Sequence, residues 1–470
     1  MTTTTRATST RKVRRDVTGG KRADGHQLQF FGRRRRPDPR SIRVKGDDPS
    51  VTSVAGLVQF GAFVRTLGVD AQLREQFGHL KIGPMVVYPM EAQLRLLIDA
   101  VIAGEQRVFG LESLAADPLF VKLAGGAVPS IDVLYDDLRR FGTDEIAALD
   151  TIMSAHGLAP VKAKAHKCVH LDIDTTVEPL FGTQIEGARP GPNPHYHGRP
   201  SYHPMLARIT ETGTIVGATL RPGDRSFGEA DVPTVIAWVR RVRAAVGPHC
   251  QICVRIDGAG DCAMLLDALD REPRLTFFVK ARLTRDLCGA IAAHQKWSTV
   301  EPVVGERPML QTADIKFSRE PWKQRGQIFR IVAVRSRERD SGKQIYLWDD
   351  LDWTVQAFVT NDHAIPSEDV ASTYNLRAGI EPMIGELKRD MGIGKIPTQS
   401  FDANHTMLLL KLFAFNLLRQ YLLARFEPIA WWQTGWARRA IIMQPGRLVR
   451  SARRFTLRIH PASMLVRDLN

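Results

Sequence analysis

The periodicities of this 470-residue chain predict an α/β fold preceded by an all-α domain and interrupted by a β-rich insertion. Three observations carry that prediction. Apolar residues recur at helical spacing from Val54 to about His156. After Lys162 short apolar strands and helices follow in the order β-β-β-α-β-α-β, which excludes an uninterrupted doubly wound repeat. Residues 297–360 are then strand-like and rich in turn residues, before helical spacing returns at 368–390 and 402–426.

Residues 1–50 are polar, basic and aperiodic, and read as a flexible arm. In the helical segment 51–160, AGLVQFGAFVRTL, MEAQLRLLIDAVIAG and SIDVLYDDLRRFG each present an apolar face, and Ser130 is a natural N-cap for the third. Short helices joined by Gly/Pro turns allow a helix-turn-helix there. Residues 161–283 open with the strand CVHLDID, followed by a Gly/Pro/His-rich loop. A hairpin comes next, MLARIT and TIVGATL around Glu211-Thr212-Gly213, then a helix at 229–246, a strand at 251–257, a helix at 261–270 and a strand at 275–281. The insertion spans 284–365, the returning helices 366–430 and a basic tail 431–470. There is no internal repeat.

The formal charge is +15, with 65 Lys+Arg against 50 Asp+Glu, and it is unevenly placed. Residues 1–50 carry +9 and 436–470 carry +7, which leaves 51–435 at −1. Clusters such as Arg33-Arg34-Arg35-Arg36 and Arg453-Arg454 suit phosphate groups, although solvated tails or general Arg enrichment would look alike. The longest apolar run, Met407 to Leu418, is interrupted by Lys411, so no membrane partner is expected. The N-terminal stretch lacks the apolar segment of a secretory signal, and five scattered cysteines point to a reducing, cytoplasmic setting. Cys250 and Cys253 form a lone C-x-x-C inside an apolar strand, which favours packing over zinc or redox chemistry. The group His195, His197 and His203 sits in a Pro-flanked loop, better suited to DNA or solvent than to a metal.

Three acids stand out. Asp174 ends the first strand and shares a face with Asp172, while Leu171 and Ile173 point the other way. Two acids side by side on an apolar strand are costly to bury unless a cation sits with them, or unless the strand end faces solvent. Asp257 ends a later strand and meets the turn Gly258-Ala259-Gly260; an Asp-Gly pair alone means only a turn, and Asp261 is a rival acid. Glu381 lies on the predicted helix 368–390 with Tyr374, Arg377 and Lys388. At 100° per residue the four fall near one line, either a phosphate-reading stripe around a metal ligand or an exposed salt-bridged face.

The spacing Y-x2-R-x3-E-x6-K, filled by Tyr374, Arg377, Glu381 and Lys388, resembles the signature of DDE transposases of the IS4 superfamily, in its IS1380-like branch. Asp174-Thr175-Thr176 resembles the family's first catalytic element and Asp257 its second, though the aromatic that usually follows is absent here. The resemblance covers roughly residues 125–425. It implies an RNase H-like catalytic core in which Asp174, Asp257 and Glu381 are catalytic and bind Mg²⁺, with Mn²⁺ as an alternative, Asp174 bridging two ions. It implies that Tyr374, Arg377 and Lys388 hold DNA phosphates. It further implies double-stranded DNA as partner, both transposon ends and target, and a homodimer in a cytoplasmic, nucleoid-associated synaptic complex. In related transposases an insertion-domain aromatic stacks on a flipped base; Trp322, Trp348 and Trp353 are the candidates here. Water attack would nick the transposon end, and the freed 3′-OH would attack target DNA. The alternatives are a catalytically silent, transposase-derived DNA-binding protein and a stand-alone nuclease.

Overall fold

The computed structural model describes residues 38–182, 184–191, 196–300, 310–337 and 353–468. Arg33 to Arg36, His195 and Trp348 therefore lie outside the described residues. The described residues fall into two units, 38–49 and those from Ser50 onward. Of the first, the described part holds a single 3-10 turn, Pro39–Ser41, capped by the Asp38 carboxylate, which also binds the Arg40 guanidinium at 2.9 Å.

In the second unit a short strand β1 (Val51–Thr52) leads into helices α1 (Leu57–Thr66), α2 (Val69–Phe77), α3 (Met90–Ala103), α4 (Leu111–Leu114), α5 (Pro118–Leu123), α6 (Ile131–Leu138) and α7 (Thr143–Lys162). Ser130 caps α6 as expected, accepting from the Val133 amide. The strand β2 (Cys168–Thr175) follows, then three short strands, β3 (Glu178–Pro179), β4 (Arg189–Pro190) and β5 (Pro200–Tyr202), which pair with one another. The hairpin is β6 (Met205–Ile209) with β7 (Thr214–Thr219). Then come α8 (Val232–Val246), β8 (Gln251–Ile256), α9 (Ala263–Asp270), β9 (Leu275–Lys280) and α10 (Arg285–Ala293). The insertion supplies β10 (Ser298–Thr299), β11 (Leu310–Ile315), α11 (Glu320–Gln324), β12 (Arg330–Ser336) and β13 (Thr354–Thr360). Four helices, α12 (Ser367–Asn375), α13 (Ile380–Glu386), α14 (Phe401–Arg425) and α15 (Thr434–Ala437), precede a final hairpin, β14 (Gly446–Ser451) and β15 (Arg454–Ile459).

The expected α/β class holds, around one large mixed sheet of order β10-β11-β12-β13-β9-β8-β2-β6-β7. Strands β2, β8 and β9 are parallel; the remaining neighbours are antiparallel. The insertion is therefore not a body apart: β13 pairs with β9, so its strands widen the central sheet. The physical reason is edge satisfaction, since β9 would otherwise expose a row of unpaired backbone groups.

Nor do the helices of 51–160 own a separate core. Phe60, Leu97 and Leu149 share one apolar cluster with Leu409 and Phe413 of α14 and with Ile215 of β7. Asn416 fastens that junction, accepting from the Ile215 amide and donating to the carbonyls of Ile215 and Met153. The helix α7 approaches so closely that a Cβ on Gly157 would lie 2.1 Å from the Ile215 carbonyl oxygen. The helix α14 is long and apolar enough to cross a membrane by composition alone, yet 89% of its most apolar window is buried within the protein. Its Lys411 is buried too, donating to the Gly392 and Lys395 carbonyls at 2.5 and 2.7 Å, and burial brings its pKa down to about 7. The segment 431–470 is likewise folded rather than a tail: Arg438 is buried on the Ile102 carbonyl, and β14 pairs with β1.

Strand alternation sorts the two faces of the sheet. Leu171, Ile173, Val254, Ile256, Phe277 and Val279 face a core covered by α8, α9 and α10. The opposite face of β8, β9, β12 and β13 presents Cys253, Phe278, Val332 and Phe358 to Val370 and Tyr374 of α12. On that face Asp172 and Arg255 meet, both completely buried, with Nε–Oδ1 at 2.6 Å and Nη2–Oδ2 at 3.1 Å. Thr210 donates to the same carboxylate, and Arg255 reaches the Thr373 carbonyl of α12. The cation that Asp172 requires is a side chain of the neighbouring strand.

A buried pair that loses one member strands a charge, which typically costs ~3–5 kcal/mol. Asp172→Leu and Arg255→Met alone should each destabilise on that scale in denaturant unfolding. The double variant should recover most of the loss; an additive double variant would show that the pair is not coupled.

Candidate active site

Asp174 and Asp257 lie where β2 and β8 end. Ile173 pairs with Ile256 in the parallel register, so the two acids occupy the next position on adjacent strands. The carboxyl ends of neighbouring parallel strands are where open α/β sheets generally build sites. The Asp257 side chain accepts from the Ala259 amide and caps the 3-10 turn Gly258–Gly260. Its rival is spoken for: the Asp261 carboxylate is fully buried, paired with Arg319 at 2.5 Å and bonded to the Arg282 amide.

Asp174 is largely buried, and its pKa is raised to about 6. Desolvation is the main cause; the Arg377 guanidinium opposes it and the charge of Asp257 adds to it. Arg377 stands between two of the three acids, with Nη1 2.9 Å from Asp174 Oδ2 and Nη2 3.3 Å from Glu381 Oε1. Asp174 also accepts from the Thr175 amide. Glu381 is about two-thirds exposed, held on one side only by that guanidinium.

The predicted continuous helix 368–390 is in fact broken. The helix α12 ends at Asn375, a 3-10 stretch Leu376–Gly379 follows, and α13 runs into a π-turn at Leu387–Met391. Pro382 has no N–H to give the Ala378 carbonyl, which explains the break after α12. Gly379 is held close by Arg208, whose Nη1 would lie 2.9 Å from an added Cβ. Tyr374, Arg377 and Glu381 keep a common side, the Arg377 guanidinium lying 5.7 Å from the Tyr374 ring centre and 3.3 Å from Glu381, while Lys388 falls in the π-turn. Tyr374 is buried with its ring 4.8 Å from that of Phe358. Lys388 reaches back to the loop after β2, donating to the Val177 carbonyl at 2.9 Å and pairing with Glu178 at 3.1 Å. Arg377 and Lys388 spend their charge inside the protein in this state.

Among the described residues no three His, Cys, Asp or Glu side chains are grouped to hold a metal ion. The donor chemistry nonetheless fits a hard divalent cation. Asp174 and Asp257 repel one another in a partly desolvated place, and one guanidinium already serves as the cation joining Asp174 to Glu381. Sequence reasoning missed Arg255, Glu178 and Arg208. The signal for the first was a lone Arg inside the apolar strand QICVRI, opposite an acid in CVHLDID.

The family described as "Transposase DDE domain group 1" matches residues 35–469. The chain belongs to this DDE transposase family. No curated protein matches it. Among solved structures, a cryo-EM piggyBac transposase synaptic complex with hairpin DNA is similar over 82% of this chain and 78% of that chain, at 13% identity and a TM-score of 0.46. Membership accounts for acids gathered at strand ends, because DDE transposases generally use divalent metals.

Other expectations resolve around this transposase site. Trp322 is buried against Phe329, and Trp353 lies under Arg335 and Arg337 at 4.5 and 4.3 Å. His203 bonds the Arg225 carbonyl, and Cys250 and Cys253 are buried free thiols.

Because Asp174 has its pKa raised on folding, the unfolded chain releases this proton first. Stability then falls as pH rises from about 4 to about 6 and levels off above, by on the order of 2–3 kcal/mol. Asp174→Asn should erase that slope, so the variant gains on the wild type across this window in urea titrations. A constant difference from pH 4 to 7 would refute the assigned environment.

Proposed function

We propose that this chain is the transposase of an insertion sequence of the IS4 superfamily, IS1380-like branch, working on double-stranded DNA as a cytoplasmic homodimer with an RNase H-like core. It binds terminal inverted repeats and catalyses metal-dependent cleavage and strand transfer. The observation that carries the reading is the meeting of Asp174 and Asp257, at adjacent parallel strand ends, with the Y-x2-R-x3-E-x6-K segment through Arg377. The strand order β7-β6-β2-β8-β9 is in keeping with such a core.

Asp174, Asp257 and Glu381 would hold Mg²⁺, or Mn²⁺. When bound, the metal polarises the phosphodiester and lowers the pKa of the attacking water. The chain's own residues do the rest. Lys388 and Glu178 fix the loop that leaves β2, and so the reach of Asp174. Tyr374 and Arg377 come to DNA phosphates only by giving up part of their internal contacts. Beside that loop a cavity of 620 Å³ is lined by Arg107, Arg139 and Lys395 and by no acid, a lining suited to a phosphate backbone.

Against a duplex carrying the element's own inverted repeats, Asp174→Ala, Asp257→Asn and Glu381→Gln should each lower Mg²⁺-dependent cleavage by about 10³-fold or more while retaining binding. Millimolar Mg²⁺ should raise the melting temperature of the wild type and not of Asp174→Ala. Binding without cleavage in the wild type would favour the silent DNA-binding alternative.

A further inference from the structure

The C-terminal hairpin β14–β15 has a built orientation. Opposed residues of an antiparallel pair share a face. Gly446 opposes Ile459, Leu448 opposes Leu457, and Arg450 opposes Phe455. At its base that face turns inward, with Leu457 and Ile459 packed against the main core, while towards the tip the exposed Phe455 ring meets the Lys122 ammonium at 4.3 Å and the Arg450 guanidinium at 5.7 Å. Pairing of β14 with β1 at Gly446 and Arg447, with the Leu448 amide on the Ser50 carbonyl, anchors the base of the hairpin.

The outward face is consequently Arg447 opposite Arg458, Val449 opposite Thr456 and Ser451 opposite Arg454, with Arg453 at the turn. Residues 446–459 hold five arginines and no acid. Arg447, Arg453, Arg454 and Arg458 are all exposed, and among the described residues Arg453, Arg454 and Arg458 have no ion-pair partner. Two guanidinium groups directly opposite on a strand pair repel, an arrangement that an external anion relieves. The face offers no aromatic or large apolar side chain for a lipid surface. A two-stranded ribbon fits the major groove of B-form DNA, about 12 Å wide, and arginine forks match phosphate oxygens.

We propose that this ribbon is a DNA-duplex contact separate from the acid cluster, laying Arg447, Arg454 and Arg458 on backbone phosphates with Arg453 leading at the tip. The proposal rests on the reading of the chain as a DNA transposase.

The test is the salt dependence of binding by the full-length protein to a duplex of about 40 base pairs of arbitrary sequence. Each phosphate contact contributes about 0.9 to the slope of log K against log salt, so Arg447→Gln/Arg454→Gln/Arg458→Gln should lower the slope by about 2.7. The corresponding triple Lys variant should keep it. Should the Gln triple unfold, Arg453→Gln/Arg454→Gln at the turn should still lower the slope, by about 1.8. An unchanged slope in the folded Gln variants overturns the ribbon contact, as does loss of binding to anionic phosphatidylserine vesicles with duplex binding intact. Wild-type protein that cleaves duplex while the ribbon variants keep full slope sinks the ribbon alone. Wild-type protein that binds no duplex sinks the transposase reading with it.

Discussion

The buried pair between Asp172 and Arg255 is the constraint from which the site follows. It joins two parallel strands on one face of the sheet, and through the Thr373 carbonyl it ties α12 to both. One residue further along α12 is Tyr374, and two residues further along β2 is Asp174. A full guanidinium and a full carboxylate out of water are tolerable only with their remaining hydrogen bonds satisfied, which Thr210 and Thr373 do. Such a pair adds little stability over an apolar substitute of the same volume. Its use is to fix register and helix placement, where an apolar contact could slide.

Next to it stands an unfinished version of the same arrangement. Asp174 occupies the same strand face, but its partner Arg377 comes from the 3-10 stretch between α12 and α13 and is shared with Glu381. Asp172 is held by Arg255 and Thr210; Asp174, held by Arg377 and the Thr175 amide, also feels the charge of Asp257. A single guanidinium thus faces Asp174 and Glu381, with the charge of Asp257 close to the first.

Much of this was legible in the residues. The strands at 168–175, 205–219, 251–256 and 275–280 follow from apolar alternation and turn chemistry, and Ser130 caps where its hydroxyl predicts. Asp174 stands out as an acid ending an apolar strand, whereas Asp257 alone reads only as a turn and is singled out by the family resemblance. Domain boundaries were not legible. Segment-wise periodicity shows that 51–160 is helical and 284–365 strand-rich, but it cannot show that α14 welds the first to the sheet and that β13 pairs with β9. The helical projection assumes one uniform helix: Tyr374, Arg377 and Glu381 stay in contact across the 3-10 stretch, but the π-turn at Leu387–Met391 changes the angular count at Lys388.

Net charge shows most plainly what a sequence count leaves out. The segment 436–470 carries +7, yet its arginines fall into two populations once folded. Arg438 is buried on backbone carbonyls of α3 and does nothing for an outside anion. Arg447, Arg453, Arg454 and Arg458 stand on an exposed ribbon whose inner face is anchored by leucines. The same division runs through the near-neutral middle, where Arg255 and Arg221 are locked to Asp172 and Asp231 while Arg107 and Lys395 line an open cavity. What decides whether a basic residue serves the fold or a polyanion is the hydrogen-bond partner that its backbone neighbours place within reach. A formal charge of +15 therefore overstates the positive surface at some places and hides its focus at others.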